Sequence, residues 1–373
     1  MSGRGNVTRR GRNSWRVKFD LGADPVSGKR LTRFVTVRGT KRQAQAELTK
    51  LLSAADTGQY VDQDKQTVAA FAEHWLATWA ASNVSNKTLE RYETLIRVHV
   101  LPRIGTIPIQ KLRPVNLQAL YAGLTVADRT KLHVHRVVHR MLRHATQWAL
   151  THQNVATLVD APSVKSTEIE ILTAAEIARV LETLKGRSLY PIVITALGTG
   201  MRRGELLALR WKDVDLDGAK LRVEQSLEQT KRGGLVFKAP KTRHGRRTVT
   251  LPSSTVAELR EHWKATLERR LQLKQGKMSE DALVFATWDG NTRSPNALTK
   301  EWRRAIRTAK LKATFHSLRH THASSLIAAG IDVLSISRRL GHGSPDITLG
   351  VYGHLFKPDD RAAAAIDGLF GGK

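Results

Sequence analysis

Two stretches near the start of the chain alternate apolar and polar residues. Trp15-Arg16-Val17-Lys18-Phe19 and Leu31-Thr32-Arg33-Phe34-Val35-Thr36-Val37 each send every second side chain to one face, the period of a half-buried strand. Asp24-Pro25-Val26-Ser27-Gly28 supplies turn residues between them. The pattern predicts a hairpin with Arg16, Lys18 and Arg33 on its open face. Thr40 then caps a helix to about Leu52, with Ala44, Leu48 and Leu51 at helical spacing. Residues 1–13 are Arg/Gly-rich and read as mobile. The result is a small β-β-β-α unit whose third strand the pattern leaves unplaced.

The period changes after a polar stretch at 57–67. Phe71, Trp75, Leu76 and Trp79 share a helical face, and so do Leu89, Tyr92, Leu95 and Ile96. Leu101-Pro102 predicts a break, because proline cannot donate to the helix ladder. Pro114 opens a third helix through Leu117, Leu120 and Tyr121. A long fourth runs from about Thr130 to Leu150. Its Lys131, His133, His135, Arg136, His139, Arg140, Arg143 and His144 predict a basic, DNA-facing surface; no carboxylate or cysteine completes a metal set among them. This is an all-α four-helix module. After a second linker at 161–171, Thr173-Ala174-Ala175-Glu176 reads as a capping box. From there helices alternate with short strands near 219–224, 235–237 and 247–251. That pattern predicts a mainly-α region with a small antiparallel sheet, in which Trp211, Trp263, Trp288 and Trp302 are core residues. The predicted domains are 1–60, 65–162 and 168–373.

Charge narrows the function. The 373-residue chain carries a net charge of +28, spread as +7 over residues 1–64, +8 over 65–165 and +13 over the rest. A surplus in every segment fits domains that together wrap a polyanion such as duplex DNA. Hydrophobic residues make up 41% of the chain, enough for ordinary cores. The chain has no cysteine, which excludes disulfides, thiolate zinc sites and a cysteine nucleophile. No apolar run approaches the ~20 residues of a membrane span, and Met1-Ser2-Gly3-Arg4-Gly5 lacks a signal-peptide core. A soluble cytoplasmic protein that binds nucleic acid is the expectation.

Five groups in the last region carry chemistry. Gly200-Met201-Arg202-Arg203-Gly204-Glu205 puts an arginine fork where a helix begins, an anion-binding arrangement. Lys238-Ala239-Pro240-Lys241-Thr242-Arg243 lies in a turn between strands, where Lys241 could swing over a phosphate. His316-Ser317-Leu318-Arg319-His320 places His316 and Arg319 less than one helical turn apart. His316 and His320 also have the i,i+4 spacing of a zinc pair, without the glutamate of an H-E-x-x-H motif. Leu340-Gly341-His342-Gly343 follows, and Tyr352 comes ten residues after His342.

This ordered set resembles the tyrosine recombinase (phage-type integrase) family. The helical module is similar to the family's core-site-binding domain, and the N-terminal unit resembles, more loosely, the arm-site-binding domain of three-domain integrases. The resemblance implies a site-specific DNA recombinase that cleaves and rejoins strands through a 3′-phosphotyrosine, integrating or excising a mobile element such as a prophage. Arg202, Lys241, His316, Arg319 and His342 match the family's catalytic positions, Tyr352 its nucleophile and Glu205 the acidic support. His316 would take the tyrosine proton, or hold the phosphate and leave that to a neighbour. Arg16, Lys18, Arg33, Lys131, Arg136, Arg140, Arg143 and Arg243 are the expected DNA contacts. No cofactor or metal is expected, since the cations replace one. The implied partners are double-stranded DNA at core and arm sites, three further copies in a synaptic tetramer, a host DNA-bending protein and an excisionase. The tail after Tyr352 is expected to form a short apolar helix. A catalytically idle DNA-binding protein and a type IB topoisomerase-like enzyme are the competing readings.

Overall fold

The structure, a computed structural model, describes residues 5–23, 28–57, 60, 65–165, 169–240, 243–356 and 366. The chain forms two compact units, 1–165 and 166–373.

The first unit opens with an antiparallel sheet in the order β1 (Gly5–Gly11), β2 (Ser14–Ala23), β3 (Arg30–Arg38). The first strand occupies residues expected to be mobile. It is held by backbone pairing to β2, Val7 opposite Val17, which needs no alternation in its own side chains. A helix, Lys41–Asp56, covers one face; Thr40 and Gln43 cap its start reciprocally. Val17, Phe19, Ala44 and Leu48 form the small core between them. Arg16 and Lys18 lie exposed on the other face, with Arg16 over the Phe34 ring. Arg33 is different. It pairs with Phe19, so the pleat puts it on the helix-covered side, and Phe34 takes the open position instead.

The helical part of this unit packs around Trp75, Ile96, Leu117 and Met141. Thr67 and Ser85 cap the helices Val68–Trp75 and Asn86–Leu95. Pro102 does not end the second. A wide π turn at Ile96–Val100 precedes it, with the Leu101 N–H donating to the Ile96 carbonyl, and helix resumes at Leu101–Ile104. The looser register accommodates the residue that cannot donate. The helix Pro114–Ala122 is followed by the long helix Asp128–Gln147. On it Arg136, Arg140 and Arg143 are exposed and Lys131 half-buried. His135 and His144 are not part of that basic surface: both are buried, and the His144 Nδ1 accepts from the Trp75 indole at 2.7 Å. They share the apolar stripe with Val134, Val138, Met141 and Ala145, and an imidazole satisfied by an indole fits a core position.

The second unit packs its helices around Trp302, Leu206, Val193 and Leu259. Thr173 and Glu176 close the expected capping box. A three-stranded sheet joins Val214–Asp215, Lys220–Val223 and Arg247–Thr250, while Ser226–Thr230 and Gly234–Lys238 form a separate hairpin. The Ser226–Thr230 strand was not expected; its Ser-Leu-Glu-Gln-Thr has one large apolar residue, and Leu227 is buried. Trp288 is likewise a correction. It is 71% exposed in the Thr287–Gly290 turn, because a polar turn presents its side chains outward, whereas Trp302 and Trp211 are buried and Trp263 packs on the core.

Candidate active site

Two helix ends build the floor of the site. The helix Tyr190–Thr199 stops at Gly200 and the helix Val333–Leu340 at Gly341, both in the left-handed conformation (φ +65° and +67°). Only glycine adopts this without strain. Space demands it too: a Cβ on Gly200 would fall 2.6 Å from the His322 ring, and one on Gly341 2.8 Å from the Arg247 guanidinium. The last carbonyls of these helices lack intrahelical partners and sit at the negative end of the helix dipole. They face two arginines. Arg319 donates to the Gly200 carbonyl at 2.6 Å and the Leu340 carbonyl at 2.8 Å; Arg202 donates to the Gly341 carbonyl at 3.0 Å.

One carboxylate ties this arrangement from behind. Arg202 is the N-cap of the short helix Arg203–Leu207, and Glu205 is its third residue. Buried Glu205 accepts from the Arg202 guanidinium at 2.8 Å, the Arg202 backbone N–H at 2.9 Å and the Arg247 guanidinium at 2.9 Å. Burial alone would raise its pKa, but the Arg247 charge and hydrogen bond, then Arg202, hold it below the usual carboxylate range. Arg247 is itself locked by the Arg339 and Gly245 carbonyls. Arg339 donates to His322 Nε2 and to the Gly198 and Thr250 carbonyls. Arg202, Arg247 and Arg319 therefore share the charge of one buried carboxylate, Glu205, with Arg339 behind Arg247, and the cluster is short of negative charge.

The remaining groups face this cationic floor. His316 is the N-cap of the helix Ser317–Ala328, which also carries Arg319 and His320. Burial, then His320, Arg319 and Arg202, pull the His316 pKa down to about 4. His342 is also pulled to about 4, by burial and then Arg319, Arg202 and Arg247. Both imidazoles are neutral at pH 7. The His342 Nδ1 is held at 2.8 Å by the Thr348 hydroxyl. Arg319 is lowered to about 9, chiefly by burial, and stays charged at neutral pH. Tyr352 ends the helix Pro345–Tyr352, is only 2% exposed, and its hydroxyl lies 2.8 Å from His320 Nδ1. Burial raises the phenol pKa and Arg319 opposes that.

A cleft of about 490 Å³ opens beside Arg202, Glu205, Lys238, Gly341 and Gly343. Lys238 is engaged by Glu228, so it is not the loose cation of this turn. Lys241 lies outside the described residues, and for Arg243 only the backbone is described; of the expected C-terminal apolar helix all but Ile366 lies outside them. The structure thus brings Arg202, Glu205, His316, Arg319, His342 and Tyr352 into one locality. Two neighbours escaped the sequence reading. Arg247 sits in a basic run that offers no way to single it out, and the sequence offers His320 only the spacing of a zinc pair.

The comparisons agree with this architecture. Residues 148–358, more than half of the chain, match the phage integrase family, and residues 67–125 match the phage integrase N-terminal SAM-like domain. The chain belongs to the phage integrase family. Among its relatives is a "Tyrosine recombinase XerC-like" protein of Caldanaerobacter subterraneus subsp. tengcongensis, 28% identical over 99% of this chain and 100% of the relative. An "Integrase" of Streptomyces ambofaciens is 29% identical over 96% and 94%. Its fold is similar to that of the Tn1549 transposon integrase solved with circular intermediate DNA (TM-score 0.66, 20% identity, 82% of this chain and 99% of that one). It is also similar to a lambda integrase tetramer bound to a Holliday junction (TM-score 0.60, 18% identity, 96% and 98%).

Proposed function

We propose that this protein is a site-specific DNA recombinase that cuts and rejoins strands through a tyrosine ester and so moves a mobile element into and out of duplex DNA. The observation that carries the reading is the cationic floor: two arginine forks fixed by helix-end carbonyls, two neutral imidazoles and a phenol around a locality short of negative charge. A phosphodiester supplies that charge.

In this reading Arg202 and Arg319 hold the non-bridging oxygens and stabilise the pentavalent transition state, where each well-aimed donor is worth roughly 3–4 kcal/mol. His316 and His342 add donors to the phosphate. The Tyr352 oxygen attacks phosphorus, the 5′ oxygen leaves, and Lys241 is its acid. The phosphotyrosyl bond preserves the energy of the broken diester, so a 5′ hydroxyl of the partner strand can rejoin the backbone without ATP. Residues 1–60 would bind arm sites, 65–162 core sites and 168–373 perform catalysis. Arg16, Lys18, Lys131, Arg136, Arg140 and Arg143 would contact backbone phosphates. The tetramer solved for lambda integrase supports a four-copy synapse here, served by a DNA-bending protein and an excisionase. No helix of the described residues is long and apolar enough to cross a membrane, and action on DNA inside a bacterial cell fits the reading.

The intact set of Arg202, His316, Arg319, His342 and Tyr352 argues against an idle DNA-binding protein. The test is to incubate the protein with random-sequence duplex DNA and sequence the fragments that stay attached through SDS. Attachment at a recurring sequence, lost in Tyr352→Phe while retention on DNA persists, is the expected result. An adduct formed equally by the Phe variant would overturn it.

A further inference from the structure

The tyrosine hydroxyl touches a histidine other than the one its motif suggests. His320 Nδ1 lies 2.8 Å from the Tyr352 oxygen, a full hydrogen bond, and no bond joins His316 to that oxygen among the described contacts. The two histidines meet edge to face, ring centroids 4.7 Å apart. One turn of helix therefore splits the work: His316 lies toward Arg202 and Arg319, and His320 holds the phenol. Building on the recombinase reading, we propose that His320 is the catalytic base that accepts the Tyr352 proton, leaving His316 free to donate to the phosphate.

The balance of the step is simple. The phenol O–H bond breaks and its proton moves to Nδ1 of His320. The freed oxygen bonds to phosphorus, the bond from phosphorus to the 5′ oxygen breaks, and that oxygen takes a proton from the Lys241 ammonium. Each partner is suited to its part. Burial and the Arg319 charge keep His320 unprotonated, so a ring nitrogen is open to accept, while Glu170 favours the imidazolium once it forms. Glu170 reaches the site from the segment before the helix Ala174–Leu184 and is held by the Ser317 hydroxyl. Arg319 faces His320 from its own helix, His316 from the N-cap of that helix, and Tyr352 from the end of the helix Pro345–Tyr352. Arg319 also favours the phenolate, which lowers the barrier to transfer.

The experiment uses the full chain, the random-sequence duplex pool as probe, and His320→Asn. An asparagine carbonyl can accept from the tyrosine in the place of Nδ1 but cannot carry the proton away. The rate of SDS-resistant attachment should fall by about 10²–10⁴ at pH 7, with retention on DNA unchanged. The deficit should shrink steadily from pH 6 to pH 8.5, below the Arg319 pKa of about 9, because hydroxide increasingly takes the phenol proton in the variant while the native base is already unprotonated. A variant within a few-fold of the native rate at pH 7 would overturn the assignment. So would a loss that stays constant from pH 6 to pH 8.5, since a merely structural role has no reason to diminish as hydroxide rises. Attachment persisting in Tyr352→Phe would overturn the recombinase chemistry and this step together. Attachment abolished in Tyr352→Phe yet undiminished in His320→Asn would overturn this step alone.

Discussion

Replacing Glu205 with glutamine should destabilise the second unit heavily, in a way that depends on pH. The carboxylate lies 2.8–2.9 Å from the guanidinium groups of Arg202 and Arg247. At an effective dielectric near 20, each contact has a gross attraction of about 6 kcal/mol, and desolvation takes back most of it. What the substitution exposes is the remainder: a buried, locked Arg247 without its counter-ion, a loss of about 3–5 kcal/mol. For a unit of this size, each kcal/mol moves the midpoint by about 2–4 °C, so Tm should drop by roughly 6–20 °C. The sign of the pH dependence follows from the depressed pKa of Glu205. Its contribution is fully present above the unfolded carboxylate pKa and is lost as pH falls through the folded value. Calorimetric scans of native protein and variant should therefore diverge at pH 7 and draw together only as pH falls below the ordinary carboxylate range toward the depressed folded pKa. The paired variant Glu205→Gln with Arg247→Met should recover much of the loss, since no unpaired cation stays buried. A single variant as stable as the native protein at pH 7, or a deficit that does not shrink as pH is carried below the ordinary carboxylate range, would refute this account of the cationic floor.

Gly341→Ala should cost about 1–2 kcal/mol from the left-handed backbone, plus the displacement of Arg247 and the His244 carbonyl, which stand 2.8 and 3.0 Å from the new Cβ; a urea midpoint equal to the native one would contradict it. Affinity for duplex DNA should fall by ~10³–10⁵ between 50 and 200 mM salt if ~6–10 phosphates are neutralised, and a flat titration would mean that the basic surfaces do not face DNA. Trp75→Phe should cost about 1–3 kcal/mol by leaving the buried His144 nitrogen without its donor, measured by chemical denaturation; a neutral result would show that water replaces the indole.

Sequence was most informative where chemistry and local geometry coincide. Gly200-Met201-Arg202-Arg203-Gly204-Glu205 states both a left-handed helix end and the arginine that caps the next helix, and His316 and Arg319 are neighbours on any helix. It was silent where the determining contact is distant. Nothing near Arg247 announces its bond to Glu205, 42 residues away, and nothing near His320 announces Tyr352, 32 residues on. Side-chain type also misled. The sequence groups the histidines of Asp128–Gln147 with their arginine neighbours, yet imidazole is apolar enough to join a core when its nitrogen finds a donor, as His144 does on Trp75. Arg33 shows the cost of a one-residue phase: in a strand alternate positions share a face, so Arg33 goes with Val35 and Val37 to the helix-covered side, opposite Phe19.

The central claim is that one phenolic oxygen, at Tyr352, becomes joined to the 3′ end of a DNA strand. Nuclease digestion of the SDS-resistant adduct, followed by mass spectrometry of its tryptic peptides, reads that bond directly. The account predicts a nucleotide remnant on the peptide containing Tyr352, attached through a 3′ phosphate, with a free 5′ hydroxyl on the released strand. A remnant on any other residue, or a 5′ linkage, would contradict it.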